Sequence, residues 1–378
     1  MADMQQFILV DANESNPRND GATIVELKDG TLFMAFMAHI GVEEHKNVGY
    51  DHSPCQIDSM ISKDGGLTWT DRKVFVENNP GDTNIHYPWF LRLQSGDIMF
   101  YYVRYHVLKP GEHSQSTSYI SISSDEGETW SDPVEQPAIN AGSWAMQMST
   151  GRIILPDNKS IGDWDWCGGP MDVEIGGRRV LPLGAYSDHF IAGCCYSDDD
   201  GHSWQVSETW ADAPLRGVME PHIVELKDGR LMMYLRTQLG AIFHSYSDDA
   251  GVTWSDPQTT GVKAPESMPT LTKIPQTGDL MLVWNNSLYQ PGFDHSGRRS
   301  PLTVAISRDE GKTWENHKNI ETDRLYEFTN PMCYYTSQGK VIIVYFKSKM
   351  ANPEFPGKNG RGCIPLKAVV ADIDWLYE

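Results

Sequence analysis

An eight-residue pattern that recurs five times constrains this chain more than any other feature. Ser62-Lys63-Asp64-Gly65-Gly66-Leu67-Thr68-Trp69 fits S-x-D-x-G-x-[ST]-W, and the pattern returns at Ser123–Trp130, Ser197–Trp204, Ser247–Trp254 and Ser307–Trp314. Self-similarity at a period of tens of residues marks a repeat architecture, in which each unit buries its apolar face against its neighbours. The residue types inside the octet describe a turn. Asp accepts hydrogen bonds from turn amides, Gly tolerates positive φ, and Trp packs between strands. The five Asp and five Trp are therefore expected to be structural.

A second repeat interleaves with the first. Apolar runs meet through a Gly-containing turn in TIVELKDGTLFMAF around Gly30, FLRLQSGDIMFYY around Gly96 and AMQMSTGRIIL around Gly151. The same arrangement follows in HIVELKDGRLMMYL around Gly229, TLTKIPQTGDLMLVW around Gly278 and CYYTSQGKVIIVY around Gly339. Each reads as a β-hairpin. Six hairpins divide the 378 residues into units of about 63, each of the form strand, turn, strand, loop, strand, octet, strand. Four antiparallel strands repeated radially make a propeller blade. The expected fold is all-β: one six-bladed β-propeller domain over residues 1–378. The sixth unit lacks an octet and is a strand short, so the N-terminal run Phe7-Ile8-Leu9-Val10 is expected to complete the last blade. Ring closure removes exposed sheet edges.

Composition narrows the function classes. There are 31 Lys plus Arg against 51 Asp plus Glu, a net charge of −20, and such a surface repels phosphate backbones, so a nucleic-acid partner is not expected. Apolar runs such as Val341–Phe346 fall far short of the roughly 20 residues of a membrane helix, and no membrane partner is expected. The six cysteines, Cys55, Cys167, Cys194, Cys195, Cys333 and Cys363, form no CxxC pair and read as buried thiols. No basic-then-apolar leader opens the sequence, which makes the cytoplasm the default location unless a leader has been trimmed. The twelve histidines show no HxxxH or HExxH pattern, so no metal or other cofactor is expected. His39, His45 and His52 are read as loop or strand-end residues.

Hairpin geometry locates the working face. Glu220 lies ahead of the Asp228-Gly229 turn and Arg236 after it, so the two are neighbours at the end away from the turn. The same end carries Arg18 and Asp20, His86 and Tyr87, Trp144 and Gln147, Glu266, and Glu327 and Asn330 on the first strands. On the second strands it carries His39, Arg104, Asn158, Asn285 and Lys347. The connections that open on this face hold Asp51, His52, Arg298 and Arg299. Carboxylates and arginines converging on one mouth suit an anionic ligand gripped by guanidinium forks. One connection is long: Gly151 to Ser197 spans 46 residues against 18 to 32 in the other units. Its insertion, Asp157 to Ala185 with Trp164 and Trp166, is expected to be a specificity loop over the mouth.

These residues resemble the sialidase superfamily over nearly the whole chain, the octets being its Asp boxes. Glu220-Pro-His-Ile-Val-Glu-Leu-Lys-Asp-Gly-Arg-Leu-Met-Met-Tyr-Leu-Arg236 is similar to the family segment that carries the glutamate assisting the nucleophile and the second arginine of a carboxylate-binding triad. Arg299-Ser-Pro-Leu-Thr-Val is similar to the segment with the third arginine, Arg18 is the candidate for the first, and Asp51 stands where the family has its acid/base aspartate. The resemblance fails at the tyrosine nucleophile, whose place counts back from Gly339 to Asn330, and at a glutamate of the following strand, replaced by Phe346.

The resemblance implies a glycoside hydrolase that releases an acidic sugar, sialic acid or a related sugar acid, from a glycan. Asp51 and Glu220 would be catalytic. Arg18, Arg236, Arg299, Arg104, Glu266, His86, Tyr87 and Asn330 would bind substrate. Paired carboxylates serve such chemistry as acid and base, and without the tyrosine the attacking group is expected to be water activated by Glu220 or Glu266, or else Tyr326 bending in from ahead of the strand. Two alternatives stay open: a non-catalytic carbohydrate-binding propeller, and a glycosidase or lyase acting on uronic-acid polysaccharide. A protein-binding propeller fits less well, because the polar groups converge on the mouth rather than on a flat rim.

Overall fold

Each repeated unit closes into one four-stranded antiparallel sheet, and six such sheets form the blades of a β-propeller. The computed structural model describes residues 4–41, 53–79, 82–106, 115–136, 144–160, 173–175, 178–180, 189–290, 297–349 and 362–378. Blade 1 consists of Asn19–Glu26, Leu32–His39, Cys55–Ser62 and Thr70–Val76, in order from the axis outwards. Blade 4 repeats it with Met219–Glu225, Leu231–Arg236, Ala241–Ser247 and Gln258–Lys263. Blade 6 takes Tyr326–Tyr335, Lys340–Lys349 and Leu366–Asp372 from the C-terminal end of the chain. Its outermost strand is Gln5–Val10, paired antiparallel with Gln5 opposite Val370 and Phe7 opposite Ala368. The N-terminal run therefore closes the ring as expected.

The core is divided among the blade interfaces. Six apolar clusters occur among the described residues, and each joins a pair of neighbouring blades, the one between blades 2 and 3 also reaching across to Met268 and Met332. The second strand of a blade is covered on both faces, so Leu32–His39 and Leu231–Arg236 are buried throughout and show no in–out alternation. The outermost strand of blade 4, Gln258–Lys263, is largely exposed. Such nearest-neighbour burial is how a repeat protein adds stability unit by unit.

All five octets share the same Ser and Asp turn bonds, whereas the Trp indole donates to the Gly carbonyl in three and Trp254 donates to Ser207 Oγ instead. In the first, Asp64 accepts from the Thr68 amide at 2.9 Å and its hydroxyl at 2.6 Å, while Ser62 Oγ accepts from the Gly66 amide at 2.9 Å. The Trp69 indole donates to the Gly66 carbonyl at 3.0 Å. Gly66 has φ 94°, and a Cβ there would stand 2.6 Å from Ile342 Cδ1 in the neighbouring blade. Glycine is thus required by conformation, and a side chain would also make the Ile342 methyl shift. At the hairpin turn of blade 1, Gly30 has φ 85° with nothing near a hypothetical Cβ, so only the backbone conformation demands it.

Cys55, Cys194, Cys195 and Cys333 are buried free thiols, and Cys363 is half-buried. Inside the long insertion the described residues form a two-stranded ladder, Val173–Ile175 with Arg178–Val180. Trp164 and Trp166 lie outside the described residues.

Candidate functional site

At the end of the ring opposite the octets, four inner strands break register at the same place. The shifts fall between Asp20 and Thr23, His86 and Trp89, Met219 and His222, and Thr329 and Met332. Inside each lies one residue with positive φ: Gly21 (55°), Tyr87 (56°), Glu220 (48°) and Asn330 (51°). Each stands nine residues ahead of its hairpin glycine. A bulge re-aims a side chain, and a left-handed conformation is costly for Tyr and Glu, the kind of strain that collects at functional sites. Blades 1, 2, 4 and 6 thus offer one position repeatedly, filled differently each time.

Glu266 organises one side of the mouth. It is 1% exposed. Its carboxylate pairs with Arg216 Nη1, accepts from Gln238 Nε2 at 3.0 Å and lies 3.8 Å from Arg236 Nη2. Arg299 Nη2 donates to its backbone carbonyl at 3.3 Å. Arg216, Arg236 and Arg299 are all buried. A carboxylate so enclosed between cations holds them in place.

Glu220 is different. Its carboxylate accepts from Arg236 Nη1 at 2.8 Å, and 27% of its side chain is exposed. Its amide faces Asn158 Oδ1 at 3.4 Å.

A second ion pair stands on blade 1. Arg18 Nη2 donates to Asp20 at 2.6 Å, and both residues are buried. The Arg18 guanidinium lies over the Phe346 ring at 5.3 Å. Phe346 occupies the place where the resemblance calls for a glutamate, and Asp20 supplies the carboxylate instead. Asn330 Nδ2 donates to Asp20 Oδ2 at 3.0 Å, so the residue in the tyrosine's place ties blade 6 to blade 1. Four guanidiniums, of Arg18, Arg216, Arg236 and Arg299, face three carboxylates, of Asp20, Glu220 and Glu266.

The remaining predicted residues divide. His86 is buried, packed 6.1 Å from His39, 5.7 Å from Tyr87 and 5.5 Å from Tyr105 between ring centroids. Arg104 leaves the arginine cluster: its Nη1 donates to the Glu77 carbonyl at 3.1 Å and its guanidinium lies over Tyr102, at the boundary of blades 1 and 2. Asn285 bridges blades 5 and 6 through the Phe328 carbonyl at 2.9 Å. Lys347 Nζ sits 3.8 Å over the Tyr326 ring. Tyr334 donates to Thr23 Oγ1 at 3.1 Å and Tyr335 pairs with Thr272 Oγ1 at 2.7 Å. Both side chains are half-buried, and the loss of solvent around their hydroxyls pushes their pKa values up, so neither is poised to ionise. Asp51 lies outside the described residues.

Sequence reasoning missed Arg216, Gln238 and His222. Arg216 stands in a connection without strand pattern, yet four residues ahead of the bulge residue Glu220, much as Arg18 stands three ahead of Gly21. His222 lies against Trp144 with centroids 4.0 Å apart and the rings tilted by 39°, and burial lowers its pKa to about 3, so the ring is neutral.

Comparison with known proteins agrees with this architecture. A family described as BNR repeat-like domain matches residues 93–343, well over half of the chain. The chain belongs to that family. It is a sialidase-like β-propeller. The anhydrosialidase of Macrobdella decora is 28% identical over 246 residues, covering 61% of this chain and 30% of the leech protein. A sialidase structure from Streptococcus pneumoniae superposes with a TM-score of 0.68 at 13% identity, over 98% of this chain and 70% of that one. A protein of unknown function from Dyadobacter fermentans gives a TM-score of 0.68 at 16% identity, over 97% and 99% of the two chains. The propeller spans 30% to 60% of the length of the curated relatives it matches.

Proposed function

We propose that this sialidase-like propeller is a glycoside hydrolase that removes a terminal sugar acid from a glycan, sialic acid foremost, and that water rather than a tyrosine is its nucleophile. The observation that carries the reading is the contrast among the three mouth carboxylates. Asp20 and Glu266 are 2% and 1% exposed and locked in ion pairs, whereas Glu220 is open to the mouth while anchored to Arg236. Arg236, Arg299 and Arg216 grip the carboxylate of the sugar, with Arg18 on the opposite side. Glu220 takes a proton from water as its oxygen bonds to the anomeric carbon. The glycosidic bond breaks, and Asp51, assigned by resemblance, gives a proton to the departing oxygen. One displacement inverts the anomeric centre. Asn330 has no ionisable group and serves to hold Asp20.

The test is NMR of the first product formed from sialylated glycans. The inverted anomer supports the reading, and Glu220→Gln should abolish release. A retained anomer, or a covalent adduct on any tyrosine after trapping with a fluorinated sugar acid, overturns water attack. Binding of the sugar acid without release from any acidic glycan would instead establish the non-catalytic reading that Asn330 allows. An unsaturated product from uronic-acid polysaccharide would mark elimination.

A further inference from the structure

A fourth carboxylate stands at the mouth end of blade 6 and takes no part in the network of the other three. Glu327 lies on the inner strand Tyr326–Tyr335, three residues ahead of Asn330. It is 6% exposed, as enclosed as Arg299 at 6% and Arg18 at 5%. Its backbone is tied to the arginine cluster, because the amide of the next residue, Phe328, donates to the Arg299 carbonyl at 2.9 Å. Strand alternation puts the Glu327 side chain on one face with Thr329. Opposite these two on the second strand stand Ser348 and Phe346. That face turns to blade 1, since Phe346 packs in one cluster with Ala22, Ile24 and Met34. The Arg18 guanidinium lies over the same Phe346 ring at 5.3 Å. Glu327 is therefore one pair further towards the mouth than the Thr329–Phe346 pair, roughly 7 Å along the strand.

What sets Glu327 apart is the lack of a donor. Among the described residues no guanidinium, ammonium, hydroxyl or N–H pairs with its carboxylate. Each of the other three has a cation: Asp20 has Arg18, Glu220 has Arg236 and Glu266 has Arg216. Lys347, on the facing strand, is on the opposite face, with its ammonium over the Tyr326 ring at 3.8 Å. Ser348 Oγ, from the side chain directly opposite Glu327, is enclosed and also meets no partner. Facing side chains of an antiparallel pair have Cβ atoms about 5 Å apart, so a carboxylate and a hydroxyl stand side by side with hydrogen bonds to give. A carboxylate taken out of water without a donor costs stability. A buried polar group left in that condition calls for a donor from outside the chain. The ligand suited to the arginines beside it is an acid, and a sugar acid brings hydroxyls as well. An ionised carboxylate accepts from two of them at once through its two oxygens.

We propose that Glu327, with Ser348 beside it, is a specificity-determining residue that binds hydroxyl groups of the sugar acid whose carboxylate the arginines hold. The proposal rests on reading the mouth as a sugar-acid site. Glu327 then trades stability for recognition, and its two effects have opposite signs. Glu327→Leu removes an unpaired buried charge and should raise the urea midpoint. By calorimetry the same substitution should weaken sialic acid about tenfold or more, the scale of a hydrogen bond to a charged group. It should not weaken tetrahydropyran-2-carboxylate, which keeps ring and acid but has no hydroxyls. Glu327→Gln, which keeps the shape and one acceptor, should lose less affinity, and it carries the same comparison if the leucine chain does not fold. A lowered midpoint with unchanged affinity makes Glu327 a structural group and overturns the proposal. Equal weakening of the two ligands overturns it too. Arg236→Ala should weaken both ligands; if it weakens neither, the mouth reading fails by itself. Glu327 then stands as a hydroxyl-binding residue if methyl galactoside, an uncharged sugar, binds in a Glu327-dependent way, and falls if it does not.

Discussion

The two rims of this propeller are built by opposite rules. At the octet rim the bonds are local and repeated: Asp64 meets Thr68, Asp125 meets Thr129 and Asp309 meets Thr313, each four residues away and exposed to solvent. At the mouth they are unique, and some are distant. Arg216 meets Glu266 from 50 residues away in buried surroundings, and Asn330 meets Asp20 from 310 in partly buried ones. Burial is what makes the second kind costly to break. An exposed pair is worth little, whereas a buried charge stripped of its partner is strongly destabilising. The octet rim therefore stores stability in many small, equivalent portions, and the mouth concentrates it in a few groups that also serve a ligand.

The sharpest way to break that contrast is at Glu266. Glu266→Ala leaves Arg216 without its carboxylate and Arg236 without one of its two, and should cost about 3–5 kcal/mol. Urea unfolding measures it, and Arg216→Met in the same chain should restore part of the loss. If Glu266→Ala costs no more than an octet substitution, the mouth is not the strained, charge-coupled region described above. Next in size is Arg236→Ala, which should weaken binding of a sugar acid by about 2–5 kcal/mol, since both Glu220 and the ligand carboxylate lose a partner. Unchanged affinity by calorimetry would remove Arg236 from the ligand site.

The same division explains what could be read from the sequence. Octets and hairpin glycines are local patterns, so blade number, strand order and the closing role of Phe7–Val10 were legible. The pair Glu220 and Arg236 was legible too, because one hairpin holds both. Arg216 was not, because it sits in an irregular connection and acquires meaning only through Glu266 in the next blade. The exchange of a glutamate for Phe346, with Asp20 supplying the charge from another blade, was equally invisible. The bond from Arg104 to the Glu77 carbonyl was not legible, because strand-end position says nothing about which side of the blade a side chain takes.

At the octet rim, Asp249→Ala removes bonds to Ser247, the Thr253 hydroxyl at 2.5 Å and the Thr253 amide at 2.8 Å. Its cost should be about 1 kcal/mol, with ligand binding unchanged. The whole rim should also respond to acid. Asp199 is held down to about 2 by the Ser203 hydroxyl and then the Ser203 amide, and Asp309 to about 2 by the Thr313 amide and then its hydroxyl. A carboxyl with a lowered folded pKa stabilises above its unfolded value of about 3.9 and loses that contribution as pH falls through the folded one. Stability should therefore decline between about pH 4 and about pH 2. A flat urea midpoint over that window would show that these bonds contribute nothing net.

The smallest effect joins the long insertion to the mouth. His189, at the foot of the insertion, faces two acceptors: Nδ1 meets the Leu215 carbonyl at 2.8 Å and Nε2 meets Asp212 at 2.5 Å. A neutral imidazole has one N–H, so both bonds exist only in the charged ring. The Leu215 bond, and then Asp212 against the opposing effect of burial, raise the His189 pKa above 6.5. The clasp pins the segment that carries Arg216, whose own carbonyl accepts from the Phe190 amide at 3.0 Å. A raised folded pKa means that the contribution is complete below the unfolded value and lost as pH rises through the folded one. Affinity for a sugar acid should thus fall about two- to fivefold from about pH 6 to about pH 8.5, a modest change because the ring is partly solvated. His189→Gln should lower affinity at pH 6 and flatten the profile. Identical profiles in the two proteins would mean that the His189 clasp does not hold Arg216 in place, and that the insertion has no hand in the mouth.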